Sequence, residues 1–186
     1  PLALMPPTSP AKSAPGPIDR RSLNLPNLIT LSRLCLSFVL FGMMWHGQWW
    51  LSCAGLFVFA AATDFVDGYV ARKYGLVTTL GRILDPFVDK IIVCGAFVFL
   101  LERPTQSGVN AWMVIAVIGR EMFVTGLRSF LEQHGRDFSA VWSGKIKMVL
   151  QCVAVTASLI SQAPDWSTPE FLQLRDILLW ASVIVT

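Results

Sequence analysis

The chain has few charged side chains. Lysine and arginine number 15 and aspartate and glutamate 12 among 186 residues, which leaves a net charge of +3. So small an excess gives no reason to expect a nucleic-acid partner. The two histidines, His46 and His134, are isolated, and the four cysteines are scattered without metal-ligand spacing. The sequence therefore offers no histidine or cysteine metal site, and the cysteines are expected to pack as small hydrophobic residues.

Long apolar stretches dominate instead. Hydrophobic residues make up 54% of the chain, and the mean hydropathy is +0.57. About 20 apolar residues are enough for a helix to cross a bilayer, and no strand alternation or internal repeat competes with that interpretation. The sequence predicts an all-α integral membrane protein with six transmembrane helices: residues 28–46, 50–72, 83–101, 111–131, 146–163 and from 171 onward.

The N-terminal residues differ in composition from these spans. Residues 1–17 are rich in proline, alanine and serine and predict a flexible tail. Residues 18–27 mix charged and aliphatic side chains, which predicts a short amphipathic helix at the membrane interface. We expect residues 18–186 to form one transmembrane domain.

The second and third spans each carry a pair of aspartates. Helical spacing places each pair and its small neighbours on one helix face: Asp64, Asp67, Gly68 and Ala71 in the second span, and Gly81, Asp85 and Asp89 in the third. Carboxylates are costly at membrane depth and mark a functional site by default. Carboxylates that converge need cations, and an oxygen-only ligand set favours hard divalent ions.

With Arg72 added, these residues form the pattern DxxDG-xx-AR-x8-G-xxx-D-xxx-D, and every position is filled. The pattern resembles the signature of the CDP-alcohol phosphotransferases. The resemblance implies that an acceptor hydroxyl attacks the β-phosphorus of a CDP-linked lipid and that CMP leaves. It also implies two divalent ions, Mg²⁺ or Mn²⁺, with Asp64, Asp67 and Asp85 as ligands. Asp89 would be the general base and a further contact to the second metal.

The other residues of the pattern suggest contacts with the CDP lipid. Three small residues leave room for the nucleotide to approach the helix backbones: Gly68, Ala71 and Gly81. Arg72 is a candidate for a bidentate phosphate contact, with extension to the lipid headgroups as the alternative. Pro86 is expected in the first turn of its helix, where a missing N–H is tolerated. Lys90 is expected to extend to the headgroups, with pairing to the carboxylates as the alternative.

The fourth span carries a polar stripe at helical spacing: Glu121, Thr125, Arg128 and Glu132. We expect this stripe to face the protein interior rather than lipid. One interpretation is an internal Glu121–Arg128 ion pair that holds helices together. The other is a site for an anionic acceptor, with Glu121 and Thr125 orienting the cations of the fourth and fifth spans: Arg120, Arg128, Lys145 and Lys147. The second interpretation predicts an acceptor that carries its own phosphate.

Two segments, NLPNLITLSRL and GREMFVTGLRSFLEQHGRDFSAVWSGKIKMVLQ, are similar to the branch of the family that makes phosphatidylglycerophosphate. That similarity implies transfer of a phosphatidyl group from CDP-diacylglycerol to sn-glycerol 3-phosphate, with Asn27 and Arg33 on the nucleotide side. The alternatives are another acceptor (inositol phosphate, serine or phosphatidylglycerol) and, outside the enzymes, a cation transporter that uses the same carboxylates.

The distribution of positive charge predicts an orientation in the membrane. Lysine and arginine are concentrated before the first span, between the second and third, and between the fourth and fifth. The positive-inside rule therefore places both termini and the aspartates on the cytoplasmic side. A bacterial cytoplasmic membrane is favoured over an organelle's inner membrane because no Arg-rich transit segment is visible. Membrane lipids and a second copy of the chain, in a homodimer as is usual in such families, are the expected further partners.

Overall fold

The computed structural model describes residues 25–74, 79–134 and 143–185, and every regular element within them is a helix. In chain order the helices are α1 (Leu25–His46), α2 (Trp50–Tyr74), α3 (Thr79–Leu101), α4 (Pro104–Ser107), α5 (Ala111–Gln133), α6 (Ser143–Ile160) and α7 (Pro169–Val185). A 3₁₀ turn, Pro164–Trp166, precedes α7. The all-α prediction is confirmed.

The six long helices begin and end within four residues of the six predicted spans, except that no end was predicted for the last span. Judged by length and apolar composition among the described residues, one helical segment, Leu28–His46, is able to cross a membrane. Two shorter apolar helical segments are Trp50–Thr63 and Ile146–Ile160. The crossing of the membrane by six helices stays a prediction.

Two predictions concern the ends of helices. The tail at 1–17 and most of the interfacial segment at 18–27 lie outside the described residues, but α1 already begins at Leu25. Pro86 was expected in a first turn, and this is wrong: α3 begins at Thr79, so Pro86 lies inside the helix. Because proline has no N–H to donate to the preceding turn, α3 is weakened beside its aspartates.

Helices α1, α3 and α6 hold the bundle together. Helix α1 packs against both α2 and α3, while α6 packs against α2, α3 and α7. Phe41 of α1 stacks on Phe99 of α3 with ring centroids 5.1 Å apart. Gly95 lets the same ring approach α3, because a Cβ there would lie 2.2 Å from Cζ of Phe41. Small residues of this kind let helices pack closely without a side chain between them.

A polar cluster joins α4, α6 and α7 at one end of the bundle. Arg175 is 5% exposed, and its Nη1 donates to the carbonyl of Gln106 at 2.7 Å. Its Nε and Nη2 donate to Oδ1 of Asp176 at 2.9 and 2.7 Å. Ser158 of α6 donates to the carbonyl of Ser107 at 2.7 Å. These bonds satisfy backbone groups at the end of α4 that would otherwise be buried without partners.

Candidate active site

A buried arginine meets an aspartate where α1 packs on α3. Arg33 has 1% of its side chain exposed, and its Nη1 lies 3.0 Å from Oδ1 of Asp89, whose side chain is 25% exposed. A buried guanidinium needs a partner of opposite charge, since burying either ion alone costs several kcal/mol, on the order of the penalties measured in other proteins. The two residues therefore form one charge-balanced unit, with the carboxylate as its more accessible half.

Arg33 and Asp89 line a small pocket between α1, α2, α3 and α6. Its other walls are mostly apolar: Phe57, Ala60, Ala61, Ile92, Val93, Met148 and Cys152. Arg33 was predicted on the nucleotide side, and the structure shows its guanidinium buried against Asp89. A contact between Arg33 and the nucleotide stays a prediction.

A second polar cluster joins α5 to α6. The Nζ of Lys147 donates to Oε1 of Glu121, and Nη1 of Arg120 lies 3.8 Å from the same oxygen. The side chains of Lys147 and Glu121 are only 12% and 13% exposed. Glu121 thus holds two of the predicted acceptor-site cations side by side, and its orienting role toward an acceptor stays a prediction.

The same stretch of α5 also contacts α3. The Nζ of Lys90 donates to Oγ1 of Thr125, whose hydroxyl donates to the carbonyl of Glu121 at 2.7 Å. The expectation that Lys90 extends to the headgroups is therefore wrong. A threonine hydroxyl one turn from Glu121 offers an acceptor within reach of the ammonium group. The sequence could have suggested Lys90 only through its position directly after Asp89.

The polar stripe of α5 is only partly interior. Thr125 and Arg128 are exposed, so the prediction that the whole stripe faces inward is wrong at these two positions. The second half of α5 also exposes apolar side chains: Met122, Phe123, Leu127 and Phe130. Polar and apolar side chains are therefore both exposed in the second half of α5, and burial does not distinguish a polar face of this helix from an apolar face.

The alternative ion pair between Glu121 and Arg128 is not formed. Among the described side chains, Glu121 pairs with Arg120 and Lys147 instead. Two residues seven positions apart are separated by about 10.5 Å along a helix, so a neighbouring helix offers a closer partner. The side chain of Glu132 lies outside the described residues.

For much of the aspartate pattern, the structure describes the helical backbone but not the side chains. The side chains outside the description are Asn27, Asp64, Asp67, Gly68, Ala71, Arg72, Gly81, Asp85 and Lys145. Helices α2 and α3 nevertheless run through every aspartate position, which confirms the helical spacing on which the pattern depends. Within the described side chains there is no group of three or more possible metal ligands, so the metal site stays a prediction.

Three of the described site residues, Arg33, Asp89 and Glu121, lie near the middle of their helices. From the helix bounds and a rise of about 1.5 Å per residue, Arg33 lies about 12 Å from the start of α1, and Asp89 about 15 Å from the start of α3. Glu121 lies about 15 Å from the start and about 18 Å from the end of α5, and Lys147 lies about 6 Å after the start of α6. The site is therefore at mid-depth in the bundle rather than at its surface.

Comparison with known proteins finds similar sequences over most of the chain. A family profile described as CDP-alcohol phosphatidyltransferase matches residues 23–186. A Bacillus subtilis (strain 168) protein named CDP-diacylglycerol–glycerol-3-phosphate 3-phosphatidyltransferase is 39% identical over 177 residues, covering 88% of this chain and 89% of its own. A Rickettsia bellii protein of the same name is 34% identical, with 88% and 89% covered. An Arabidopsis thaliana protein, numbered 2 under that name, is 33% identical, with 80% and 70% covered.

Proposed function

The chain belongs to the CDP-alcohol phosphatidyltransferase family, and from that premise we propose that it transfers the phosphatidyl group of CDP-diacylglycerol to sn-glycerol 3-phosphate. The products are phosphatidylglycerophosphate and CMP. One observation carries the choice of acceptor: relatives named for this reaction match the chain along 88% of its length. The filled aspartate pattern supports the reaction class independently.

The donor set of the pattern suits divalent cations. Asp64 and Asp67 are about one turn apart in α2, as are Asp85 and Asp89 in α3, so each pair shares a helix face. Dependence on a divalent metal is general in the family, and carboxylate oxygens favour Mg²⁺ or Mn²⁺. Two such ions, when bound, supply positive charge that neutralises the phosphate oxygens of the CDP lipid.

Asp89 is the proposed general base. The acceptor hydroxyl forms a new P–O bond at the β-phosphorus, the bond from that phosphorus to the CMP oxygen breaks, and Asp89 takes the hydroxyl proton. Arg33 keeps the Asp89 carboxylate in one place through the 3.0 Å ion pair. Positioning of this kind is the main protein contribution to phosphoryl-type transfer. The CDP lipid is proposed to lie against Gly68, Ala71, Arg72 and Gly81, with Asn27 nearby.

The acceptor's phosphate is proposed to bind between α5 and α6. Arg120 and Lys147 meet at Glu121, and Lys145 and Arg128 remain predicted members of the site. Cations gathered at membrane depth are expensive without an anion, which supports a phosphorylated acceptor over serine or another neutral alcohol.

The setting is proposed from the same arguments. Residues 18–186 form one membrane domain of six spans, with the aspartates open to the cytoplasm and residues 1–17 as a flexible tail. The bacterial cytoplasmic membrane is the proposed location. A homodimer is proposed as well, by analogy with families of this kind.

Release of CMP by the detergent-purified protein tests the function. With CDP-diacylglycerol and Mg²⁺ present, release is expected only when sn-glycerol 3-phosphate is added, and mass spectrometry should identify phosphatidylglycerophosphate. Release with serine, inositol phosphate or phosphatidylglycerol alone would contradict the proposed acceptor. No release with any alcohol, together with metal flux into liposomes, would favour the transporter.

Replacement of the proposed base gives a sharper result. Asp89→Asn is expected to reduce turnover at least about a thousandfold, near the upper part of the range for general-base loss, while the protein still binds CDP-diacylglycerol. Asp165→Asn, at an exposed position in the turn before α7, is the matched control and should keep wild-type turnover. Turnover in Asp89→Asn within tenfold of wild type would remove the base assignment.

A further inference from the structure

Lys90 belongs to a chain of polar contacts that crosses three helices. Its Nζ on α3 donates to Oγ1 of Thr125 on α5. The hydroxyl hydrogen of Thr125 is used in the bond to the carbonyl of Glu121 at 2.7 Å, which leaves its oxygen to accept from Lys90. The carboxylate of Glu121 in turn accepts from Lys147 on α6. Lys90 and Lys147 are thereby anchored to the same turn of α5.

Cys94 provides a second indication that these charges form one cluster. It lies one turn after Lys90 on α3, and its thiol is within electrostatic range of Lys90, Glu121 and Lys147. With Arg120 beside Glu121, the described side chains of the cluster carry three positive charges and one negative charge. Asp89, the nearest other carboxylate described in sequence, already pairs with Arg33.

An excess of two positive charges among the described side chains of the cluster favours an anion there. A phosphate monoester carries about −1.5 to −2 charge at pH 7, which matches that excess. An ammonium group has three N–H donors, and the bond to Thr125 uses one of them. Lys90 is therefore equipped to hold a phosphate oxygen while Thr125 fixes its direction.

We propose that Lys90 is a specificity-determining residue, which binds the acceptor's phosphate together with Arg120 and Lys147 and so selects phosphorylated acceptors over neutral polyols. This inference rests on the proposed function. Lys90 directly follows Asp89 in α3, so one short stretch of helix contacts both ends of the acceptor: its phosphate through Lys90 and its hydroxyl through Asp89. The selected class is a short alcohol that bears a phosphate monoester.

The test compares Lys90→Gln and Lys90→Arg with Lys12→Gln, a lysine in the predicted tail. Steady-state kinetics in detergent micelles would vary CDP-diacylglycerol and sn-glycerol 3-phosphate separately. A charge-assisted hydrogen bond contributes about 1.5–3 kcal/mol, so Lys90→Gln is expected to raise the KM for sn-glycerol 3-phosphate about 10- to 100-fold. The KM for CDP-diacylglycerol should stay within twofold, and Lys90→Arg should recover most of the loss. Lys12→Gln should match wild type.

Two further readouts separate binding from a structural effect. Inorganic phosphate should inhibit the wild type competitively against sn-glycerol 3-phosphate, and its inhibition constant should rise in Lys90→Gln in parallel with the KM. The preference for sn-glycerol 3-phosphate over glycerol, measured as the ratio of kcat/KM values, should fall by a similar factor. If Lys90→Gln does not fold, Thr125→Val replaces it, because this variant removes only the anchor of the ammonium group and should raise the same KM less.

Several results would overturn the inference. An unchanged KM for sn-glycerol 3-phosphate in folded Lys90→Gln would do so, as would a rise confined to the KM for CDP-diacylglycerol. If Lys90→Gln does not fold and Thr125→Val is used instead, an unchanged KM for sn-glycerol 3-phosphate in Thr125→Val would also overturn it. Failure of the proposed function looks different, because the wild type itself would then release no CMP in response to sn-glycerol 3-phosphate.

Discussion

At the scale of single residues, the ion pair between Arg33 and Asp89 is unequal in burial. Arg33 is 1% exposed and Asp89 is 25% exposed. Water can solvate part of the carboxylate if the arginine is removed, but it cannot reach the guanidinium if the aspartate is neutralised. Removing one partner of a fully buried ion pair lowers the free energy of unfolding by about 3–5 kcal/mol. Here the loss of Asp89 is expected to lower it more than the loss of Arg33.

This inequality predicts a rescue of stability by a second substitution. Asp89→Asn is expected to lower the thermal unfolding midpoint more than Arg33→Met does. The double variant should be more stable than Asp89→Asn alone, by about 1 kcal/mol or more, because it removes a buried charge that has lost the Asp89 carboxylate. Thermal unfolding of the four proteins in one detergent measures this directly. Additive losses would mean that the pair contributes no coupling energy.

The same residues show where sequence reasoning ends. Asp89 and Arg33 were both predicted to belong to the site, from the aspartate pattern and from the opening of the first span. Their contact was not predicted, since spacing along one helix fixes which residues share a face but not which helix packs against it. Lys90 was assigned to the headgroups for the same reason: Thr125 lies on another helix. Contacts between helices depend on packing angles and register, which no local pattern encodes.

At the scale of helices and turns, the apolar stretches of the sequence predicted where the long helices lie, but not which residues of different helices meet at the site. The ends of the long helices agree with the predicted spans to within four residues because each helix contains a long apolar stretch. The short helix α4 was not predicted, since four residues give no periodic signal. The position of Pro86 in its helix was predicted wrongly because the residues before it include polar ones, so the apolar stretch began later than the helix itself, which starts at Thr79.

The turn after α4 offers a test of the cluster around Arg175. Gly108 has φ +73°, and a Cβ there would lie 2.7 Å from both Nε of Arg175 and Oδ1 of Asp176. A side chain in this backbone conformation costs about 1–2 kcal/mol, and Arg175 would also have to leave its carbonyl partner. Gly108→Ala is therefore expected to lower the thermal midpoint by about 4 °C or more, at roughly 2–4 °C per kcal/mol.

Gly55→Ala is the matched control for this variant. Gly55 lies inside α2, and a Cβ there would meet nothing within 4 Å. Alanine is favoured over glycine inside a helix by up to about 1 kcal/mol, so this variant should keep or raise the midpoint. Equal midpoints for the two variants would show that the α4 turn contributes little to stability.

At the scale of the whole molecule, the charged site and the Arg175 cluster lie at different depths in the bundle. Arg33, Asp89 and Glu121 lie near the middle of their helices, whereas Arg175 bonds to a backbone carbonyl at the end of α4. Positive charge in the connecting segments is concentrated on one side of the predicted membrane. If that side faces the cytoplasm and the site opens toward it, a water-soluble acceptor and CMP both reach the site from the compartment that contains them.

That orientation predicts which connecting segments a membrane-impermeant thiol reagent reaches. In a background whose four cysteines are replaced by alanine, Gln48→Cys and Asp165→Cys should be labelled in intact bacterial cells, because both positions are exposed in the charge-poor connections. Arg136→Cys, between α5 and α6, should be labelled only after the cells are made permeable. Labelling of Arg136→Cys in intact cells, with Gln48→Cys protected, would reverse the orientation and place the acceptor site on the outer face. Labelling of all three positions in intact cells would contradict the six-span arrangement itself, since the three long helices between positions 48 and 136, α2, α3 and α5, cross the membrane an odd number of times in that arrangement and so place the two positions on opposite sides.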